Sequence, residues 1–175
     1  MSVKKALDRF GSEVVKRSKS ELSKKGKNAS KSLSKSLDYN VKISKNSFEL
    51  SFVMEDYGKF IDKGVKGVGG TKADGTAWKK KKVTNGFYKY KSKRPPAKAF
   101  NNWTVRRGIA PRNEKGQFTT RKSLMFAIAE SVYRTGLETT NFFTKPFEKE
   151  FKQLPDDLVE AYGLEVDEFL KFTIQ

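Results

Sequence analysis

A chain of 175 residues is long enough to bury a real core in one domain of ordinary size. It carries 37 Lys and Arg against 20 Asp and Glu, a formal net charge of +17, and has neither Cys nor His. Disulfides, thiolate nucleophiles, Cys/His zinc sites and all Ser–His or Cys–His catalytic pairs are therefore excluded, and a catalyst would have only carboxylates, Lys, Tyr or Ser to work with.

Aromatic residues make up 13% of the chain, with 14 Phe, which argues for a folded core under a polar, basic periphery rather than disorder. No apolar run approaches the ~20 residues that span a bilayer. The start, Met1 to Lys5, lacks an apolar core and a small-residue cleavage site, so neither membrane association nor secretion is expected. The absence of Cys fits a reducing cytoplasm. Residues 1–122 hold 32 basic and 10 acidic side chains, whereas residues 123–175 hold 5 and 10. The basic part suits nucleic acid or an acidic partner, and the acidic tail suits the basic part of a neighbour; solubility is the plainer role for both.

Residues 3–37 read as a long helix in one or two pieces. Val3, Leu7, Phe10 and Val14 mark its face, and Leu22, Ala29, Leu33 and Leu37 continue a thinner stripe. Gly11 and Gly26 each weaken it by roughly 1 kcal/mol relative to Ala. The Ser- and Lys-rich stretch 18–36 is expected to lie on a surface or to order only in an assembly. A hairpin over about 39–54 follows. Tyr39, Val41 and Ile43 alternate with polar residues, as do Phe48, Leu50, Phe52 and Met54, around a turn at Lys45-Asn46-Ser47.

Tyr57, Phe60 and Ile61 have the spacing of a short helix stopped by Gly64. Residues 64–82 then read as a long, exposed, mobile Gly/Lys loop ending in Lys79, Lys80, Lys81 and Lys82. Val83–Tyr90 suggests a strand with Asn85-Gly86 as a turn. Pro95 and Pro96 open a helix with Phe100 and Trp103 on its core side, ended by Arg106, Arg107 and Gly108. After a loop over 109–119, Thr119 or Thr120 caps a helix running to about Thr135, stopped by Gly136. Two amphipathic pieces close the chain, at about 145–153 and 156–171. No repeat of fixed period is visible. The order predicts an α+β fold: a small, mostly antiparallel sheet flanked by a long N-terminal helix and several C-terminal helices.

The run Gly64–Lys72 is unlike a phosphate-binding loop, because Thr71 precedes Lys72 where the motif needs Gly-Lys followed by Ser or Thr. Glu55, Asp56 and Asp62 are the densest acidic group of the basic part, yet Asp56 and Asp62 are wrongly spaced to share a helix face. A metal-dependent nuclease would need several such carboxylates converging; a solvated helix face needs none. Lys79–Lys82, Lys89, Lys91, Lys93 and Arg94, interleaved with Trp78, Tyr88 and Tyr90, form a candidate nucleic-acid surface, with lysines on phosphates and rings on bases. The plainer reading is a solvated loop and a strand whose aromatics face the core.

The pattern Tyr57-x-x-Phe60-Ile61-Asp62-x-Gly64 before a glycine-rich segment resembles the tail-completion or neck (head–tail connector) proteins of tailed bacteriophages. Pro95-Pro96 through Trp103, the run Arg121–Glu130, Gly136 and Asn141-Phe142-Phe143 resemble the longer neck proteins of that group. The likeness covers residues 1–150 and leaves 151–175 as an acidic helical extension. It implies a non-enzymatic virion protein without cofactor or metal, made in the host cytoplasm. It also implies a closed homo-oligomeric ring of roughly six or twelve copies around the DNA channel, between portal or connector and tail. On that expectation Tyr57, Phe60, Ile61 and Gly64 anchor the loop base, Gly64, Gly67, Gly69 and Gly70 give the loop freedom, and the lysines and Arg94 meet DNA or an acidic neighbour. A basic nucleic-acid-binding accessory protein is the alternative.

Overall fold

The computed structural model describes residues 2–27, 31–44, 47–84, 87–113, 115–160 and 163. The chain divides into two compact units, one from residues 1–27, 32–55 and 142–175, the other from 28–31 and 56–141. Leu154 is buried in the first unit's core and Leu158 packs against it.

The first unit is built on α1 (Val3–Lys24), started by Ser2, whose hydroxyl accepts the Lys5 N–H at 3.3 Å. Two stripes of 4-3-4 spacing are buried: Val3, Leu7, Phe10 and Val14, and Gly11, Val15, Ser18 and Leu22. The first stripe forms a core with Leu154, against which Val41, Leu50, Phe52, Phe143, Phe147 and Leu158 pack. Its centre is aromatic. Phe10 meets Phe52 edge-on at 6.1 Å and Phe147 at 5.6 Å, and Phe52 meets Phe143 at 5.3 Å, contacts worth about 0.5–1.5 kcal/mol each beyond simple burial.

Helix α1 ends in a Schellman motif. Gly26 takes φ 62°, its N–H donates to the Ser23 carbonyl at 3.0 Å, and the Lys27 N–H reaches the Leu22 carbonyl at 3.1 Å. The two-piece reading of 3–37 therefore holds, with α2 at Ser32–Ser36. The described residues of 18–36 are mostly exposed or half-buried, as expected, with Ser18, Leu22 and Leu33 buried, as is Leu37 just beyond.

Strands β1 (Asp38–Ser44) and β2 (Ser47–Val53) pair antiparallel, with Tyr39 opposite Phe52, Val41 opposite Leu50 and Ile43 opposite Phe48. Ser47 belongs to β2 rather than to the turn; Lys45 and Asn46 lie outside the described residues. The apolar face is covered at one end only, and Ile43 and Phe48 are each 52% exposed at the other. Further on, α6 (Thr144–Phe151) is joined to α1 by Arg17 Nε and Glu150 Oε1 at 2.8 Å. Residues 154–160 are helical. Most of the helix expected to 171 lies outside the described residues.

The second unit contains α3 (Gly58–Lys63), β3 (Val65–Lys66), a 3-10 turn (Ala97–Phe100), α4 (Asn101–Arg106), α5 (Arg121–Thr135) and β4 (Gly136–Leu137). Strands β3 and β4 pair antiparallel, so the strands form two separate two-stranded sheets. Thr120 caps α5, its hydroxyl accepting the Ser123 N–H at 3.2 Å, and Gly136 ends it, as expected. Two expectations are corrected. Among the described residues of 83–90 only Lys89 makes a ladder contact, a parallel bridge to Lys66; Asn85 and Gly86 lie outside them. Trp103 is 39% exposed, because the short α4 turns Thr104 inward instead, its hydroxyl donating to the Asn101 carbonyl at 2.8 Å.

Gly11 has a packing reason for sitting mid-helix: a Cβ there would run into the ring of Tyr39 on β1. Gly11→Ala is expected to lower stability by about 1–2 kcal/mol through overpacking. In a Tyr39→Ala background the same change is expected to raise it by up to ~1 kcal/mol, through helix propensity alone. Urea unfolding followed by circular dichroism reads both; the same sign in both backgrounds would contradict the contact.

Candidate basic interface on the glycine segment

The motif Tyr57–Gly64 and the segment after α5 close on each other, mostly through backbone. The Thr140 hydroxyl donates to the Ile61 carbonyl at 2.6 Å, and the Thr139 hydroxyl to the Lys63 carbonyl at 2.8 Å. The Asp62 carbonyl accepts the N–H groups of Thr140 and Asn141 at 3.1 and 2.9 Å. Gly64 (φ 76°) stops α3, and a Cβ there would sit 2.8 Å from the Leu137 carbonyl oxygen. Of the expected anchors, Phe60 acts through its ring, 4.8 Å from Tyr88. Ile61 acts through its carbonyl and Gly64 by lacking a side chain. Tyr57 is 39% exposed, and its carbonyl accepts the Phe60 N–H at 3.1 Å.

Beyond β3 the glycine segment is laid along the end of α5. The Val68 N–H donates to the Tyr133 carbonyl at 3.0 Å, and the Gly69 N–H to the Arg134 carbonyl at 2.9 Å. A Cβ on Gly67 would collide with the Arg134 carbonyl, and one on Gly136 (φ 87°) with the Val65 carbonyl. Of the four glycines expected to give the loop freedom, Gly64 and Gly67 instead permit close backbone approach, while a Cβ on Gly69 or Gly70 would meet the side chain of Lys80 or Arg134; Gly136, the helix stop, also permits close backbone approach. The amides of Val68 and Gly69 are occupied by carbonyls, which agrees with the rejection of a phosphate-binding loop.

Residues 71–77 then form a tight hairpin. Lys72 N–H meets the Thr76 carbonyl at 2.8 Å, Gly75 takes φ 82°, and the Asp74 carboxylate accepts the Thr76 N–H and hydroxyl at 2.9 and 2.6 Å. Those bonds hold the Asp74 carboxyl below its usual range. A second hairpin at 112–118 repeats the pattern: Asn113 N–H meets the Gln117 carbonyl at 2.9 Å and Gly116 takes φ 75°. Each carries a cation over a ring, Lys72 at 5.4 Å from Trp78 and Arg112 at 4.0 Å from Phe118. Sequence reasoning missed this repetition; a Gly three residues after Lys72 and again after Asn113 was its signal.

The candidate lysines are displayed by this framework. The Lys81 N–H donates to the Thr135 carbonyl at 2.8 Å, and the Lys82 carbonyl accepts the Thr139 N–H at 3.4 Å, so this run lies beside the end of α5 and β4. On the other side, Lys66 exchanges backbone bonds with Tyr88 (2.8 Å) and Tyr90 (3.0 Å), which places Lys66 and Lys89 side by side. Lys66, Lys79–Lys82, Lys89, Lys91 and Lys93 are exposed, and no carboxylate among the described residues lies within 4 Å of their ammonium groups. Residues 56–141 as a whole hold 20 Lys and Arg and only 6 Asp and Glu.

Arg94 differs. Its Nε lies 2.9 Å from Glu130 Oε2, and its guanidinium sits over Tyr133 at 5.8 Å. Glu130 also holds Arg134 at 2.7 Å, and Arg134 reaches the Gly69 carbonyl at 3.2 Å. Arg94 is thus engaged within the unit. The tyrosines are engaged too: Tyr88 against Phe60, and Tyr90 against Tyr133 at 5.8 Å, where burial pushes the Tyr90 hydroxyl above its usual pKa. These rings face inward and the lysines between them outward. The surface is therefore one of cations, with Tyr88 and Tyr90 withdrawn from the stacking platform that the sequence suggested, while Trp78 is half-buried and lies under Lys72. Among the described residues no three carboxylates gather in a way that would hold a metal ion, and Asp62 is buried with Lys63 Nζ at 3.7 Å.

No protein-family model, curated protein or solved structure matches this chain.

Gly136→Ala is expected to cost about 2–3 kcal/mol, since it combines a left-handed backbone with a backbone clash. Gly75→Ala, whose Cβ would meet nothing, carries only the backbone strain of its φ and should cost less. Denaturant midpoints check the order; equal costs would show that β3 and β4 do not approach as described.

Proposed function

We propose that this chain is a non-catalytic virion protein of a tailed phage, a subunit of a ring at the head–tail junction through which DNA passes. Support comes from residues of the resemblance that lie far apart in the chain and meet in the fold: the Asp62 carbonyl within Tyr57–Gly64 accepts the Asn141 N–H at 2.9 Å, and Gly136 pairs with Lys66 just beyond Gly64. The basic surface at that meeting point suits a subunit that borders a polyanion.

Closed rings need a heterologous contact that returns on itself. The uneven charge, basic over 1–122 and acidic over 123–175, favours attraction between copies set head to tail. The same lysines favour the second reading, an accessory nucleic-acid binder acting alone. Quantitative mass spectrometry of purified particles, with light scattering of the free protein, separates the two. A fixed ring-like copy number in particles and a discrete oligomer in solution are expected. A monomer absent from every particle would overturn the proposal.

A further inference from the structure

We infer that Lys66 and Lys89, with Lys81 and Lys82, form a seat for the phosphate backbone of double-stranded DNA, read without regard to sequence. The inference rests on the ring proposal for its setting, but its own basis is the sheet register. Lys66 and Lys89 are bridge partners on neighbouring parallel segments. Partners in register leave a sheet on the same side, about 5 Å apart, and like charges so placed oppose folding. Both are exposed, and no described carboxylate offsets either. Such a pair is a standing repulsion that an incoming polyanion relieves.

The remaining cations extend the pair into a row. From Lys89 the order runs to Lys66, then to Gly136 of β4, then to the Thr135 carbonyl that receives Lys81. Three strand spacings make this row ~14 Å, close to the ~12 Å width of a DNA major groove. It can therefore touch phosphates on both sides of a groove. The rings that flank Lys89 favour duplex over single strand. Tyr88 and Tyr90 are turned inward on Phe60 and Tyr133, so the row offers phosphate contacts without base stacking. Among the described rings of 78–90, Phe87, 81% exposed, is the most open to a base.

The experiment measures binding of a fluorescent 30-base-pair duplex against salt for the full chain and four variants. Lys66→Gln/Lys89→Gln and Lys81→Gln/Lys82→Gln are each expected to flatten the log–log salt slope by about 2, at ~0.9 per phosphate. Lys4→Gln/Lys5→Gln, equal in charge change but on α1, is expected to leave it unchanged, as is Phe87→Ala. Lys66→Gln/Lys89→Gln is also expected to raise the urea midpoint of the free protein while weakening DNA binding, a pairing of signs that simple loss of structure does not produce. Equal loss from the α1 control would overturn the seat in favour of diffuse charge. Stronger binding to a single strand, lost in Phe87→Ala, would overturn the duplex assignment, and tighter binding of polyglutamate would give the face to an acidic protein. The lysine variants should keep the oligomer size of the parent chain, so failure of the seat and failure of the ring are read separately.

Discussion

Two backbones pass within contact distance at β3 and β4, and the second unit depends on that approach. It is possible only because Gly67 and Gly136 carry no Cβ, and Gly64 makes room beside it. A Cβ at either of the first two would meet carbonyl groups that belong to the ladder itself and so cannot turn aside. Once the approach is made, α3 is held to the segment after α5 by Thr139 and Thr140, and the glycine run is held to the last turn of α5. The tyrosines of 88–90 then pack inward, and the lysines are left outside.

That display has an energetic cost. Like charges in register across a strand pair oppose folding by up to ~1 kcal/mol, and exposed lysines have strong hydration to lose when they are covered. Some cations are paired: Glu21 meets Lys24 and Lys25, Glu13 meets Lys16 and Arg17, and Glu130 serves both Arg94 and Arg134. What sets the cations around β3 apart is the register that puts Lys66 and Lys89 side by side on neighbouring strands. Arg94, adjacent in sequence to the lysines, does other work: its planar guanidinium suits a carboxylate and a ring together.

The first unit was legible in the sequence because its elements are periodic. Val3, Leu7, Phe10 and Val14 declare a helix face, and the alternation through Tyr39–Ile43 and Phe48–Phe52 declares a hairpin with its register. The second stripe of α1 was not legible, since Gly11 and Ser18 look polar or weak until Tyr39 is seen packed on the glycine. The second unit was misread where structure rests on backbone. Composition makes residues 64–82 a loop, and nothing in a run of Gly and Lys announces that its amides bond to carbonyls some 65 residues later. The lysines of 79–93 were found by charge alone. Lys66 was missed, because its importance comes from a bridge to Lys89 and not from its neighbours in sequence.

Amide hydrogen exchange on the free protein addresses the clamped glycine segment most directly. The N–H groups of Val68, Gly69, Trp78 and Lys81, each within 3.0 Å of a carbonyl of Gly70 or of the last turn of α5, should exchange at least ~100-fold more slowly than in an unstructured peptide. Exchange of these four at unprotected rates, while the amides of α1 stay protected, would show that the segment is a free loop and that the lysines are not held in a row.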